Sequence, residues 1–301
     1  MDRTAFNQLL NEAVGPLVDR HLSTAKQWYP HELVPWGRGR DFEPGYEWEP
    51  SEVVPSEVVR SALFVNLLTE DNLPYYSMEI QAMFGVDDAL GAWARRWTAE
   101  EGRHSIVIRD YLTVTRSLDP VELEDGRMQQ VSGGVAPHPT NPADGLVYVT
   151  LQELATRIAH HNTGKLVDDR VGYEIMKRVA ADENLHFLFY RDATAAALEF
   201  DPSEVVMAID RQVRGFEMPG VGIPGFSRHA ASIARAGIYD WSVHYEQILV
   251  PVVLRQWKIE ALEGLTPEAE AARRRCLSHV ARVGRAARRF AERRDEALAT
   301  R

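Results

Sequence analysis

Glu101-Gly102-Arg103-His104 and Glu183-Asn184-Leu185-His186 are the only two Glu-x-x-His words in this chain. One such word alone is an ordinary helix surface, a solvated acid beside a surface or core histidine. Here each word has a further acid at a matched distance. Glu70 stands 31 residues before Glu101, and Glu153 stands 30 residues before Glu183. On an α-helix, residues i and i+3 share a face, so each word sets a carboxylate beside an imidazole. In a four-helix bundle, two such pairs plus one Glu from each of the other two helices make a six-ligand site for two metal ions. Four carboxylates offset most of the charge of two divalent cations and can bridge them. The pattern therefore predicts four helices around a dinuclear site of Glu70, Glu101, His104, Glu153, Glu183 and His186.

The flanking residues support this. Glu153 follows Leu146-Val147-Tyr148-Val149-Thr150-Leu151-Gln152 and precedes Leu154-Ala155. Glu70 follows Phe64-Val65-Asn66-Leu67-Leu68-Thr69. Both are expected to be buried, and a buried unpaired carboxylate is costly. A metal ion removes that cost; a paired base is the other solution for either acid taken alone. Glu100 and Asp182 adjoin the ligands but point elsewhere on a helix. They are solvated acids or hydrogen-bond partners of the ligand histidines.

Composition narrows the class. The 301 residues are 45% hydrophobic and 26% charged, which suits one large domain, residues 1–301, with a sizeable core. A net charge of −10 argues against a nucleic-acid partner. No apolar run approaches the roughly 20 residues that span a bilayer, and the N-terminus lacks a secretory pattern. The expectation is a cytoplasmic protein with no transmembrane segment. Cys276 is the only cysteine, which excludes an internal disulfide framework and a thiolate cluster. Carboxylate and imidazole ligands suit iron, manganese or zinc.

Along the chain, residues 5–28 read as an amphipathic helix with Phe6, Leu9, Leu10, Ala13, Leu17 and Leu22 on its apolar side. Residues 30–56, rich in Pro and Gly, read as a wrapping loop. A helix starts at the N-cap Ser56 and breaks just past Glu70, where Pro74 interrupts the pattern. Helices follow near 87–114, 145–163, 168–198, 203–214, 228–236 and 240–258, with Gly/Pro loops at 132–145 and 215–225. Residues 146–151 look strand-like but run into a helical pattern. Thr266-Pro267 opens an Arg- and Ala-rich last helix to about residue 298. The division is an N-terminal helix and wrapping loop (1–56), a metal-binding four-helix core (57–198) and additional C-terminal helices (199–301).

Several stretches are family motifs. Trp97-Thr98-Ala99-Glu100-Glu101-Gly102-Arg103-His104 is similar to W-T-A-E-E-N-R-H, and Ala181-Asp182-Glu183-Asn184-Leu185-His186 to A-D-E-K-R-H. Thr69-Glu70-Asp71-Asn72-Leu73-Pro74 is similar to T-E-E-A-L-P, and Gln152-Glu153-Leu154-Ala155-Thr156 to Q-E-R-A-T. Weaker matches surround Trp28-Tyr29-Pro30 and Arg255-Gln256-Trp257-Lys258. On these residues the chain resembles the soluble acyl-acyl-carrier-protein desaturases, the family of the plastid stearoyl-ACP desaturases. The resemblance runs from about residue 25 to about residue 266. It implies a ferritin-like all-α bundle holding two iron ions that activate O₂, with the six residues above as ligands. The implied reaction removes two hydrogens from a saturated acyl chain on acyl-carrier protein and leaves a cis double bond. The implied partners are acyl-carrier protein, a ferredoxin-like electron donor and a second copy in a homodimer.

Thr156 corresponds to the hydroxyl that helps proton delivery; on spacing alone it is equally a threonine bonded back to its own helix. Trp28, Asp182 and His104 match the family's electron path, although Trp28 also fits as an aromatic packed at a helix end. Gly102, Asn184, Leu185 and Phe187 depart from the family's Asn, Lys, Arg and Glu, so the plant substrate and double-bond position do not transfer.

Other features have two readings each. The arginines of the last helix are a solvated face or a basic patch for an acidic carrier protein. Met78, Met83, Phe84 and Trp93 are core packing or an acyl-tunnel lining. Ser105 has no catalytic partners. The rival functions are a di-iron hydroxylase or oxygenase and a non-catalytic ferritin-like iron-binding bundle.

Overall fold

A computed structural model of the chain describes residues 1–50, 55–220 and 222–299, with side chains through Arg293. Residues 51–54 of the wrapping loop, Val221 of the second Gly/Pro loop and the side chain of Arg294 lie outside the described residues. Among the described residues every regular element is helical.

Helix α1 (Arg3–Thr24) is capped by Asp2, whose side chain accepts from the Ala5 amide. Its buried stripe is Phe6, Leu10, Val14, Val18 and His21, a spacing of four, four, four and three. This corrects the expected stripe: Leu9 and Leu22 are exposed, and the helix stops at Thr24. Pro16 lies within it without ending it. A short α2 (Pro30–Leu33) and a 3₁₀ turn at Trp36–Arg38 begin the wrap. Arg116 holds the next stretch: its guanidinium donates to the Arg40 and Asp41 carbonyls at 2.8 and 3.1 Å and lies 4.2 Å from the Phe42 ring centre.

Four helices form the core: α3 (Glu57–Glu70), α5 (Asp88–Val114), α7 (Pro142–Leu166) and α8 (Arg170–Phe200). They close a ring, with α3 against α5 and α7, and α8 against α5 and α7. Ser56 caps α3 as expected, and the expected break falls at Asp71-Asn72, before α4 (Leu73–Phe84). The strand-like residues 146–151 are helical and almost all buried. Their β-branched and aromatic side chains belong to a helix packed on several sides, where tertiary contact overrides propensity.

Helix α6 (Pro120–Gly133), opened by Asp119 and Pro120, has no counterpart in the helices read from the sequence. It buries only Leu123, Gly126 and Gln130, too few to give a periodic signal. Beyond the core come α9 (Pro202–Gly215), α10 (Phe226–Arg235) and α11 (Trp241–His244). The last runs into a wide π-type segment, Tyr245–Gln256, that contains Pro251. Pro251 cannot donate to a regular helical ladder, which a wider turn tolerates. Helix α12 (Pro267–Ala299) packs along α9, with Thr266 capping the Ala269 amide at 3.3 Å.

Candidate metal centre

The ring of α3, α5, α7 and α8 brings all six sequence-identified residues together. None of Glu70, Glu101, His104, Glu153, Glu183 and His186 is more than 7% exposed. Their side-chain atoms fall into two groups of four, each within 4.8 Å: Glu70, Glu101, His104 and Glu183, then Glu101, Glu153, Glu183 and His186. Glu101 and Glu183 belong to both groups, the arrangement expected of carboxylates that bridge two ions. His104 Nδ1 lies 3.3 Å from Glu101 Oε2, 3.3 Å from Glu183 Oε1 and 3.6 Å from Glu70 Oε2. His186 Nδ1 lies 2.7 Å from Glu101 Oε1 and 3.6 Å from Glu153 Oε2.

These atoms crowd one another without hydrogen-bonding. Glu101 Oε1, Glu153 Oε2, both Glu183 oxygens and the Nδ1 atoms of His104 and His186 are buried and have no hydrogen-bond partner. Buried polar atoms normally find one. Their lone pairs instead converge on shared space, which suits cations. Charge says the same. Burial, joined by repulsion from Glu101 and Glu153, pushes the Glu183 carboxyl well above its usual range. Burial also raises Glu153. Burial opposes ionisation of Glu101 too, but His104 and His186 outweigh it and hold that carboxyl low. Burial would depress both histidines, yet the surrounding carboxylates drive them up instead. A donor set of four carboxylates and two imidazoles, short of positive charge, fits a pair of divalent cations.

The outer contacts resolve the two acids beside the ligands. Glu100 is 3% exposed and not a solvated acid; its Oε2 lies 3.0 Å from His186 Nε2 and 2.8 Å from His21 Nε2. Asp182 Oδ2 accepts from Trp28 Nε1 at 2.7 Å and from Arg103 at 3.2 Å, and lies 3.6 Å from His104 Nε2. Arg178 pairs with the other Asp182 oxygen. Such partners fix the tautomer and orientation of a ligand histidine. The Trp28 ring also lies under the Arg103 guanidinium at 4.8 Å.

Three neighbours escaped the sequence. His160 Nε2 sits 2.8 Å from Glu70 Oε1, and Trp97 Nε1 donates to Glu153 Oε1 at 3.0 Å. His160 is seven residues from Glu153 and Trp97 four from Glu101, so helical spacing carried the signal for both. His21, on a separate helix, gave no local sign.

A narrow apolar slot opens onto the candidate metal ligands. Glu70, Glu101 and Glu183 form one part of its wall; Leu73, Tyr76, Ile80, Met83, Trp97 and Tyr148 form much of the rest. Of the residues considered for a tunnel, only Met83 lines it. Met78 is exposed, while Phe84 and Trp93 are core, Trp93 stacking on Phe189 at 3.6 Å. Thr156 and Gln152 also face the slot. The Thr156 hydroxyl donates to the Gln152 carbonyl at 2.8 Å and accepts from its side-chain amide at 2.9 Å, so it is bonded back to its helix and still reaches the slot wall.

Known proteins are similar to this chain in sequence and fold. DesA1 of Mycobacterium tuberculosis, whose name places it among acyl-[acyl-carrier-protein] desaturases, is 43% identical over 274 residues, 87% of this chain and 81% of that protein. The chloroplastic stearoyl-[acyl-carrier-protein] 9-desaturase 6 of Arabidopsis thaliana is 34% identical over 249 residues, 77% of this chain and 62% of that protein. The X-ray structure of DesA2 from M. tuberculosis H37Rv, also named for acyl-ACP desaturation, superposes with a TM-score of 0.72 at 26% identity, covering 89% of this chain and 99% of that one. A family model described as fatty acid desaturase matches residues 3–301, the whole span that carries the helical ring and its outer helices. With that match and the four-helix ring in agreement, the chain belongs to the fatty acid desaturase family.

Proposed function

We propose that this chain is an O₂-dependent acyl-ACP desaturase of fatty acid biosynthesis. It would convert –CH₂–CH₂– of a carrier-bound saturated acyl chain, O₂, two electrons and two protons into a cis –CH=CH– and two waters. The observation that carries this is the apolar slot whose wall includes Glu70, Glu101 and Glu183, because it sets an unfunctionalised chain against the metal ligands.

Glu70 and His104 would hold one iron ion, Glu153 and His186 the other, and Glu101 and Glu183 would bridge them. When bound and reduced, the irons supply the O₂ activation that no side chain can provide. The protein's own part is placement and protection. A methylene offers no polar handle, so Tyr76, Ile80, Met83 and Tyr148 must hold the chain by packing, at about 0.8 kcal/mol per buried CH₂. The same lining excludes water. The Thr156 hydroxyl, whose proton goes to the Gln152 carbonyl, would deliver it to the slot by rotating away from that carbonyl.

Electrons would enter from a ferredoxin-like donor through Trp28, Asp182 and His104, a series linked at 2.7 and 3.6 Å. We further infer a single domain over 1–301, a homodimer and a cytoplasmic setting. No helix among the described residues is long and apolar enough to cross a membrane.

Reconstitution with iron, a ferredoxin-like reductant and a series of acyl-ACPs tests the function. The expected product is an alkene, located by mass spectrometry. A hydroxylated chain would identify the oxygenase alternative instead, and iron binding without O₂ consumption the non-catalytic one. Thr156→Val is expected to keep iron but raise the electrons consumed per double bond about tenfold, by removing a positioned proton donor. Unchanged coupling would leave Thr156 with its helical bond alone.

A further inference from the structure

We propose that the outer face of α12 is the docking surface for the acidic carrier protein that delivers the acyl chain; this rests on the desaturase function proposed above. At about 100° per residue, Arg274, Arg275, Arg282, Arg285, Arg288 and Arg289 fall within an arc of about 140° over about 23 Å of helix. All six are exposed. Arg293 continues the stripe. The protein as a whole carries −10, so this face runs against its own average.

The stripe is scarcely neutralised. Arg275 pairs with Asp210 at 2.8 Å, but Arg214 shares that same carboxylate, and among the described residues Arg282 meets only His279. Arg274, Arg285, Arg288 and Arg289 make no ion pair among the described residues. Arg282, Arg285 and Arg289 stand at i, i+3 and i+7, so like charges repel along the helix. Glu292, exposed at i+4 from Arg288 and i+3 from Arg289, is the one acid on the arc between Arg274 and Arg293, against seven arginines. An acidic partner offsets the repulsion and is steered to the face from a distance.

Position selects the partner. Helix α12 packs along α9. Arg211, Gln212 and Gly215 of α9 line a cleft that shares Tyr76, Tyr148 and Pro219 with the apolar slot. The helix that would seat the carrier is thus the direct neighbour of the helix that lines the opening its acyl arm must enter. The proposed electron entry at Trp28 lies elsewhere, against Arg103 of α5 and Asp182 of α8.

The test compares the iron-loaded full chain with Arg282→Glu/Arg285→Glu/Arg289→Glu and with Arg282→Lys/Arg285→Lys/Arg289→Lys. Affinity for a fluorescently labelled bacterial holo-acyl-carrier protein is followed from low to high salt. The Glu variant should lose at least tenfold in affinity at low salt and most of the salt dependence, while the Lys variant stays near wild type. In turnover the loss should fall on KM for acyl-ACP and leave KM for the electron donor unchanged. Carrier affinity that survives charge reversal, or a rise in the donor's KM instead, overturns the docking assignment. The two hypotheses separate: salt-dependent carrier binding without alkene production condemns the desaturase function only. Alkene production with charge-insensitive binding condemns the docking surface only.

Discussion

Glu183→Ala is expected to empty both metal positions and to lower desaturation roughly 10³-fold or more, the several kcal/mol that metal chemistry supplies. Glu153→Ala is expected to weaken only the His186 position and to spare the His104 position. The difference follows from the two groups of four. Glu183 belongs to both, with Oε1 3.3 Å from His104 Nδ1, whereas Glu153 belongs only to the His186 group. Iron per chain, measured by elemental analysis after anaerobic loading, reads the contrast directly. Two irons retained in Glu183→Ala would remove Glu183 from the ligand set; equal losses in the two variants would remove its bridging role.

The same residue separates a binding site from a structural ion cluster. Glu183 is 1% exposed and crowded by other carboxylates, so its charge opposes folding until cations arrive. Glu183→Gln keeps the volume and removes the charge. Metal-free Glu183→Gln should therefore melt at or above metal-free wild type, while iron should raise the melting temperature of wild type far more. A structural role predicts the reverse order in the metal-free proteins.

How much of this was legible depended on whether each signal was local. The ligand spacings recur within single helices, so Glu101 with His104 and Glu183 with His186 could be read as faces before any fold was known. The helix expected at 87–114 forms at Asp88–Val114, because it carries amphipathic contrast along its whole length. The break after Glu70 was legible through Pro74. What failed was decided by packing partners. The stripe of α1 was displaced because Leu9 and Leu22 match the period but face no neighbour, while His21 turns inward to Glu100. Helix α6 stayed hidden because Gly126 packs where a side chain would be expected: a Cβ there would come within 2.6 Å of the Phe64 ring. Residues 146–151 were ambiguous because a helix buried on most sides shows no polar face, and periodicity vanishes with it.

Asp182→Ala is expected to lower stability by about 3 kcal/mol and to slow donor-driven reduction of the irons by 10- to 100-fold. Asp182 is 2% exposed and is the common acceptor for Trp28, Arg103 and Arg178. Its removal strands a buried indole N–H and two guanidiniums. The figure belongs at the low end of the range for a broken buried pair, because Arg103 and Arg178 are 20% and 18% exposed and water recovers part of their loss. Asp182→Asn keeps an acceptor for Trp28 and loses only the charge, so it should unfold at a denaturant concentration between the other two. The kinetic arm distinguishes an electron path from scaffolding. If electrons pass through Trp28 and Asp182, Asp182→Asn should slow reduction by the protein donor while a small chemical reductant reaches the irons at the wild-type rate. Equal slowing with both reductants would mean that Asp182 acts by orienting His104 and that electrons enter by another route. Wild-type rates with both would leave Asp182 holding the α5–α8 contact and nothing more.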